Sequence, residues 1–164
     1  VKLCIVRHGS AVVGSLDDIS RGLTEQGSNE AAAAGRWLAK QSWNDAEMWV
    51  SPYFRAQQTA ANINAGFEQH GSPLAQSDQN TLTPSSDVQS ILELLVHQQR
   101  DLILVSHLPL VGRLAAALTE GQVFDQPWSP AECWILEGEI AASGCMDVSA
   151  VWYPALEHQA QAGF

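Results

Sequence analysis

Apolar positions along this chain fall into short solid runs that alternate with longer stretches of helical spacing. Val1 to Val6 is a short, largely β-branched run, which reads as a buried strand. A polar loop from Gly14 to Gly22 leads to a helix from Thr24 to about Gln41, with Ala31, Ala34, Trp37 and Leu38 on one apolar face. Thr24 is placed to cap that helix, and Glu25 puts a negative charge in the first turn, where the dipole favours one. A second strand (about 47–51) precedes a helix that Pro52 opens and that fades near Gln69-His70-Gly71. Leu74 to Ser77 reads as a short strand, and Asp87 to Gln98 as a helix with Val88, Ile91, Leu92, Leu95 and Val96 inward. A strand from Asp101 to Val105 and a helix from Pro109 to Thr119 follow.

This alternation predicts a three-layer α/β/α sandwich around a mostly parallel sheet. The last strands break it: Glu132 to Glu139 and Cys145 to Tyr153 flank Ala141-Ala142-Ser143-Gly144, the pattern of an antiparallel hairpin at the sheet edge. Residues 1–154 thus read as one domain, and 155–164 as a polar, alanine-rich tail that frays. Between Arg55 and His107 the chain holds only the rest of one helix, a short strand and one more helix. No lid insertion fits there, so a site at the strand ends is expected to be shallow and open.

Chemistry-bearing residues stand where the apolar runs stop. Arg7-His8-Gly9 follows the first strand, and in an open α/β sheet ligands bind just beyond the carboxyl ends of strands. Arg7 can grip an oxyanion with paired hydrogen bonds, His8 can act as a nucleophile near neutral pH, and Gly9 lets the backbone approach closely. A second strand ends the same way, in Ser106-His107, with Pro109 opening the next helix and so aiming its positive dipole end at that point. Arg55 falls in the first turn of the helix after Ser51-Pro52, where a cation opposes the dipole unless an anion lies in front of it.

Charge narrows the partners. Eight Lys and Arg against eighteen Asp and Glu give a formal net charge of −10. Such a surface repels nucleic acid and anionic membrane, both of which are bound through neutralised phosphates. It suits a protein substrate with a basic face better than a highly anionic metabolite. No apolar run approaches the roughly 20 residues of a membrane helix, and the first residues read as a core strand rather than a leader. A cytoplasmic monomer is the expectation. Cys4, Cys133 and Cys145 are odd in number, lack metal-type spacing and read as buried reduced thiols; Cys133 and Cys145 could approach each other in the hairpin without forming a disulfide.

Arg7-His8-Gly9, the Ser51-Pro52-x-x-Arg55-Ala56-x-x-Thr59-Ala60 segment and Val105-Ser106-His107 together resemble the histidine phosphatase superfamily, with its phosphoglycerate-mutase-like fold. The segment Arg21 to Gly27 also looks like the family's Leu-Thr-x-x-Gly element at the start of the first helix. The small size, the Leu82-Thr83-Pro84 segment and Ser106 to Gly112 look most like its short bacterial SixA-type phosphohistidine phosphatases. The resemblance implies a metal-independent, cofactor-free phosphatase in which His8 takes the phosphoryl group. Arg7, Arg55 and His107 would bind its equatorial oxygens, His107 best as an imidazolium. Asp18 and Arg21 are candidates for the rim. Superfamily members acting on phosphate esters carry a carboxylic acid after the third strand, but here that region reads Gln79-Asn80-Thr81-Leu82-Thr83-Pro84, with Asp78 poorly placed. A general acid is worth roughly a hundred- to ten-thousand-fold, and a phosphoramidate needs it less than an ester. The expected substrate is therefore a phosphohistidine-bearing protein, a signalling phosphotransfer domain or phosphotransferase-system carrier. The alternatives are a small-molecule phosphatase on the same fold and a catalytically silent phosphate-binding module.

Overall fold

The computed structural model describes residues 1–14 and 17–157. Six strands form one sheet: β1 (Lys2–Arg7), β2 (Glu47–Val50), β3 (Ala75–Asp78), β4 (Leu102–Ser106), β5 (Cys133–Glu137) and β6 (Asp147–Trp152). Their order is β3-β2-β4-β1-β5-β6; the first four run parallel, and β5 and β6 join antiparallel. Helices among the described residues include α1 (Glu25–Ala39), α2 (Phe54–Gln69), α3 (Val88–Leu95) and α4 (Leu110–Glu120), with a 3-10 turn at Asn80–Leu82.

Period-two alternation along the strands divides the core in two. Leu3, Ile5, Leu102 and Leu104 pack with Ile91, Leu95, Leu110 and Leu114 on the α3/α4 side. Cys4, Val6, Ile103 and Val105 pack with Ala34, Leu38, Ala60 and Ile63 on the α1/α2 side. The expected α/β/α layering and the antiparallel edge hairpin are both present. α1 and α2 cross at glycines: a Cβ on Gly35 would lie 2.8 Å from the Ile63 backbone, and one on Gly66 2.6 Å from the Gly35 backbone.

Several boundaries differ from the sequence reading. Thr24 caps α1 as expected, accepting from Gly27 N at 3.0 Å. α2, however, starts at Phe54, because Pro52 and Tyr53 form a bend that lifts the chain off β2. Pro109 is the residue before α4 rather than part of its first turn. α3 stops at Leu95, since the polar run from His97 to Arg100 has no apolar face to bury. The start of the tail does not fray: Leu156 packs on the α1/α2 core, and Glu157 accepts from Arg36 at 3.0 Å. Residues 158–164 of the expected tail lie outside the described residues.

The cysteines also depart from expectation. All three are free, but Cys145 is exposed, on the outer turn before β6. The thiol that meets Cys133 is that of Cys4, across the β1–β5 pair, and burial pushes the Cys133 thiol up.

Candidate active site

The order β2-β4-β1 sets three parallel carboxyl ends side by side, and the residues just past them are Ser51, His107 and His8. Backbone bonds fix the row: His8 N donates to Ser106 O and Ser51 N donates to Val105 O, each at 3.0 Å. His8 Nδ1 lies 2.7 Å from Gly9 O, a contact that requires the proton on Nδ1 and leaves the lone pair on Nε2. Gly9 N in turn donates to Thr59 Oγ1 at 3.1 Å, and Thr59 donates to Arg55 O at 2.8 Å. Gly9 has to be glycine because α1 comes so close: a Cβ there would sit 2.4 Å from Gly27 O. Its backbone is not left-handed, so packing rather than a sharp turn is what selects glycine here.

Arg55, on the first turn of α2, points its guanidinium into this row. Its Nε donates to His8 Nε2 at 3.3 Å, and Nη1 and Nη2 reach the backbone oxygen and carboxylate of Asp18 at 2.7 and 3.3 Å. The rings of His8 and His107 lie edge to face, with centroids 5.0 Å apart. Arg7 donates from Nη1 to Trp128 O at 2.6 Å, while its Nε is buried without a partner. Four of the residues singled out from sequence therefore converge, and Asp18 and Arg21 lie at the rim, joined by a 2.9 Å ion pair.

These side chains are buried: His8, Arg55 and His107 are 8%, 3% and 1% exposed, and Asp18 lies against Arg55. A groove of about 840 Å³ lies to one side, lined by Glu25, Glu30, Arg36, Ser129, Pro130 and Tyr153 among others, but by none of the four converging side chains. Its walls are tied to the end of β1 through the backbone: Glu30 accepts from Ser10 N, and Ala131 N, next to Pro130, donates to His8 O.

Burial and neighbouring cations govern the charges. Burial, with Arg55 and Arg7 adding to it, lowers the His8 pKa to about 4 against the Gly9 hydrogen bond, so the ring is neutral at pH 7. Burial first, then the nearness of His8 and Arg55, lowers that of His107 to about 2. The ring is thus neutral in this structure, whereas the expected imidazolium is tied to a bound dianion, which raises the pKa. Asp18 is held below its ordinary carboxylate value, chiefly by the Arg21 hydrogen bond and then by Arg55, so it is an anion and a poor proton donor. After β3, Asp78 accepts from Gln57 rather than facing His8, and no carboxylate follows it before Asp87.

Two further polar residues touch the site whose roles were not singled out from sequence. Ser51 Oγ lies 2.7 Å from His107 Nε2, and Thr59 supports Gly9. Ser51 and Thr59 were visible as members of the Ser51-to-Ala60 segment, but only the fold shows which side chains they touch. Among the described residues no group of three or more His, Cys, Asp and Glu side chains is placed to hold a metal ion.

Comparison with known proteins agrees with this geometry. The family model of the histidine phosphatase superfamily (branch 1) matches residues 3–78. The phosphohistidine phosphatase SixA of Escherichia coli (strain K12) is 32% identical over 126 residues, covering 74% of this chain and 76% of its own. A SixA homolog of Haemophilus influenzae is 33% identical over 128 residues, covering 72% of this chain and 77% of its own. Among solved structures, the protein histidine phosphatase SixA complexed with tungstate superposes with a TM-score of 0.79 at 25% identity, over 96% of this chain and 99% of that one. With the arginine–histidine row at the strand ends and these relatives in view, the chain belongs to the histidine phosphatase superfamily, branch 1.

Proposed function

We propose that this chain is a protein phosphohistidine phosphatase working through a phosphohistidine intermediate on His8. The observation that carries the reading is the bonding of His8. With Nδ1–H fixed on Gly9 O, the neutral ring offers Nε2 to phosphorus. In the first step Nε2 attacks in line and the substrate's N–P bond breaks. The leaving imidazole, already protonated on its other nitrogen, departs neutral. In the second step water attacks phosphorus, the His8 Nε2–P bond breaks, and inorganic phosphate is released.

Charge on the phosphoryl oxygens is met by fixed donors. Arg55 Nε exchanges His8 Nε2 for a phosphoryl oxygen, Arg7 contributes its unpaired Nε, and His107 its unpaired Nδ1. These donors carry the charge stabilisation that the transition state needs, without a cofactor.

Two features favour phosphohistidine over an ester. Asp18, joined to His8 through Arg55, is ionised and bound to two arginines, so it has no proton to give an alkoxide. The groove lined by Glu25, Glu30 and Glu157, with Arg36 paired to Glu157, carries a net negative charge that suits the basic face of a protein carrying the modified histidine.

The test is a leaving-group panel: a phosphorylated phosphotransfer domain, an aryl phosphate and an alkyl phosphate such as a sugar phosphate. The phosphoramidate should be hydrolysed at least a hundred-fold faster than the alkyl ester, roughly the worth of the missing acid. Asp18→Asn should leave the phosphohistidine rate within a few-fold. Rapid sugar-phosphate hydrolysis that collapses in Asp18→Asn would instead establish the small-molecule alternative. No hydrolysis of any member would leave the silent binding module.

A further inference from the structure

One ring nitrogen of His107 is bonded and the other is not, and the hydroxyl of Ser51 decides which of them carries the proton. Ser51 Oγ lies 2.7 Å from His107 Nε2 and accepts Tyr53 N–H at 3.3 Å. The residue is fully buried. Among the described residues, the only acceptor bonded to that hydroxyl is His107 Nε2. Were Nε2 protonated and donating, the serine proton would be buried without an acceptor, an unfavourable arrangement for any buried hydroxyl. With Ser51 donating instead, both groups at the contact are satisfied and the proton of the neutral ring falls on Nδ1. His107 Nδ1 is the buried atom without a partner.

The hydroxyl is well fixed for this task. Ser51 sits at the end of β2, its N bonded to Val105 O at 3.0 Å and its O accepting from Gln57 Nε2 at 2.9 Å. Tyr53 packs its ring edge-on against His107 at 5.2 Å, which restrains the imidazole from the other side.

We propose that Ser51 is a positioning residue that holds His107 in its neutral Nδ1–H tautomer, so that this N–H is the donor to a phosphoryl oxygen. The proposal rests on the phosphatase reading above and gives His107 a role without a change of charge: no proton moves at this ring in either step. The groups that face it agree. Arg55 and Arg21 oppose a positive charge there, and Asp18 favours one.

The test uses the full chain labelled with ¹⁵N-histidine. In the wild type, His107 should show a protonated Nδ1 and an unprotonated Nε2, unchanged from pH 5 to 8. Ser51→Ala should give mixed tautomers and weaken tungstate binding about tenfold, the order expected for one misplaced hydrogen bond to an anion. Ser51→Thr should restore both. A wild-type ring protonated at Nε2, or at both nitrogens at pH 7, overturns the proposal, and that measurement stands even if the alanine variant fails to fold. An unchanged tautomer in a folded Ser51→Ala overturns it as well. Neither readout needs turnover, so a chain with the Nδ1–H ring that hydrolyses no phosphohistidine would count against the phosphatase reading alone.

Discussion

Arg55 has its guanidinium nitrogens on His8 Nε2 and on both oxygen types of Asp18, while being almost wholly buried. A buried cation with fixed partners loses little on exchanging one anion for another, which suits it to receive a phosphoryl group. Arg55→Ala and His107→Ala should each weaken tungstate binding by about 1.5–3 kcal/mol, roughly ten- to a hundred-fold, the range for hydrogen bonds to charged groups. Isothermal titration reads this directly, and unchanged affinity in both variants would mean that the strand ends do not act on one ligand. At this scale the sequence was informative about identity and less so about state. Arg7, His8, Arg55 and His107 could be picked out because each stands just past an apolar run or in a helix's first turn. That His107 is neutral, and that Asp18 is tied to two arginines, depends on burial and on a loop path that no local pattern encodes.

Elements were legible wherever one face is continuously apolar. β1 and β4 are solid hydrophobic runs buried on both sides, and α1 carries a clear stripe, so their existence and order could be read directly. β3 is exposed along its length and was located to within one residue only by its place between helices. The start of α2 was misjudged because proline marks a bend as readily as a first turn, and the choice depends on how the chain leaves β2. The glycine crossing of α1 and α2 was not legible, since nothing in a single helix shows how closely its partner approaches. Gly35→Ala and Gly66→Ala each place a methyl within 2.8 Å of the partner's backbone. Each should cost about 1–3 kcal/mol of stability through forced separation of the helices. Urea unfolding checks this; wild-type midpoints in both variants would show that the crossing has slack.

For the whole molecule, the two site histidines tie stability to pH. Both are neutral when folded, at about 4 and about 2, whereas a histidine in the unfolded chain protonates near 6.5. Between those values the unfolded state binds more protons, so stability rises with pH and falls as pH drops below about 6.5. Each ring contributes a slope approaching about 1.4 kcal/mol per pH unit, ending near pH 4 for His8 and lower for His107. Urea unfolding at pH 4.5, 5.5 and 6.5 should show this fall, and His8→Ala should flatten it; equal slopes in the two proteins would contradict neutral burial of His8. Function at this scale depends on the same ring. The most direct measurement is a rapid acid-free quench of turnover on a protein labelled with ³²P-phosphohistidine, followed by peptide mapping of the enzyme. An acid-labile, base-stable phosphoryl group is expected on His8, and none in His8→Ala. Label on any other residue, or label retained by the His8→Ala variant at the wild-type level, would contradict it.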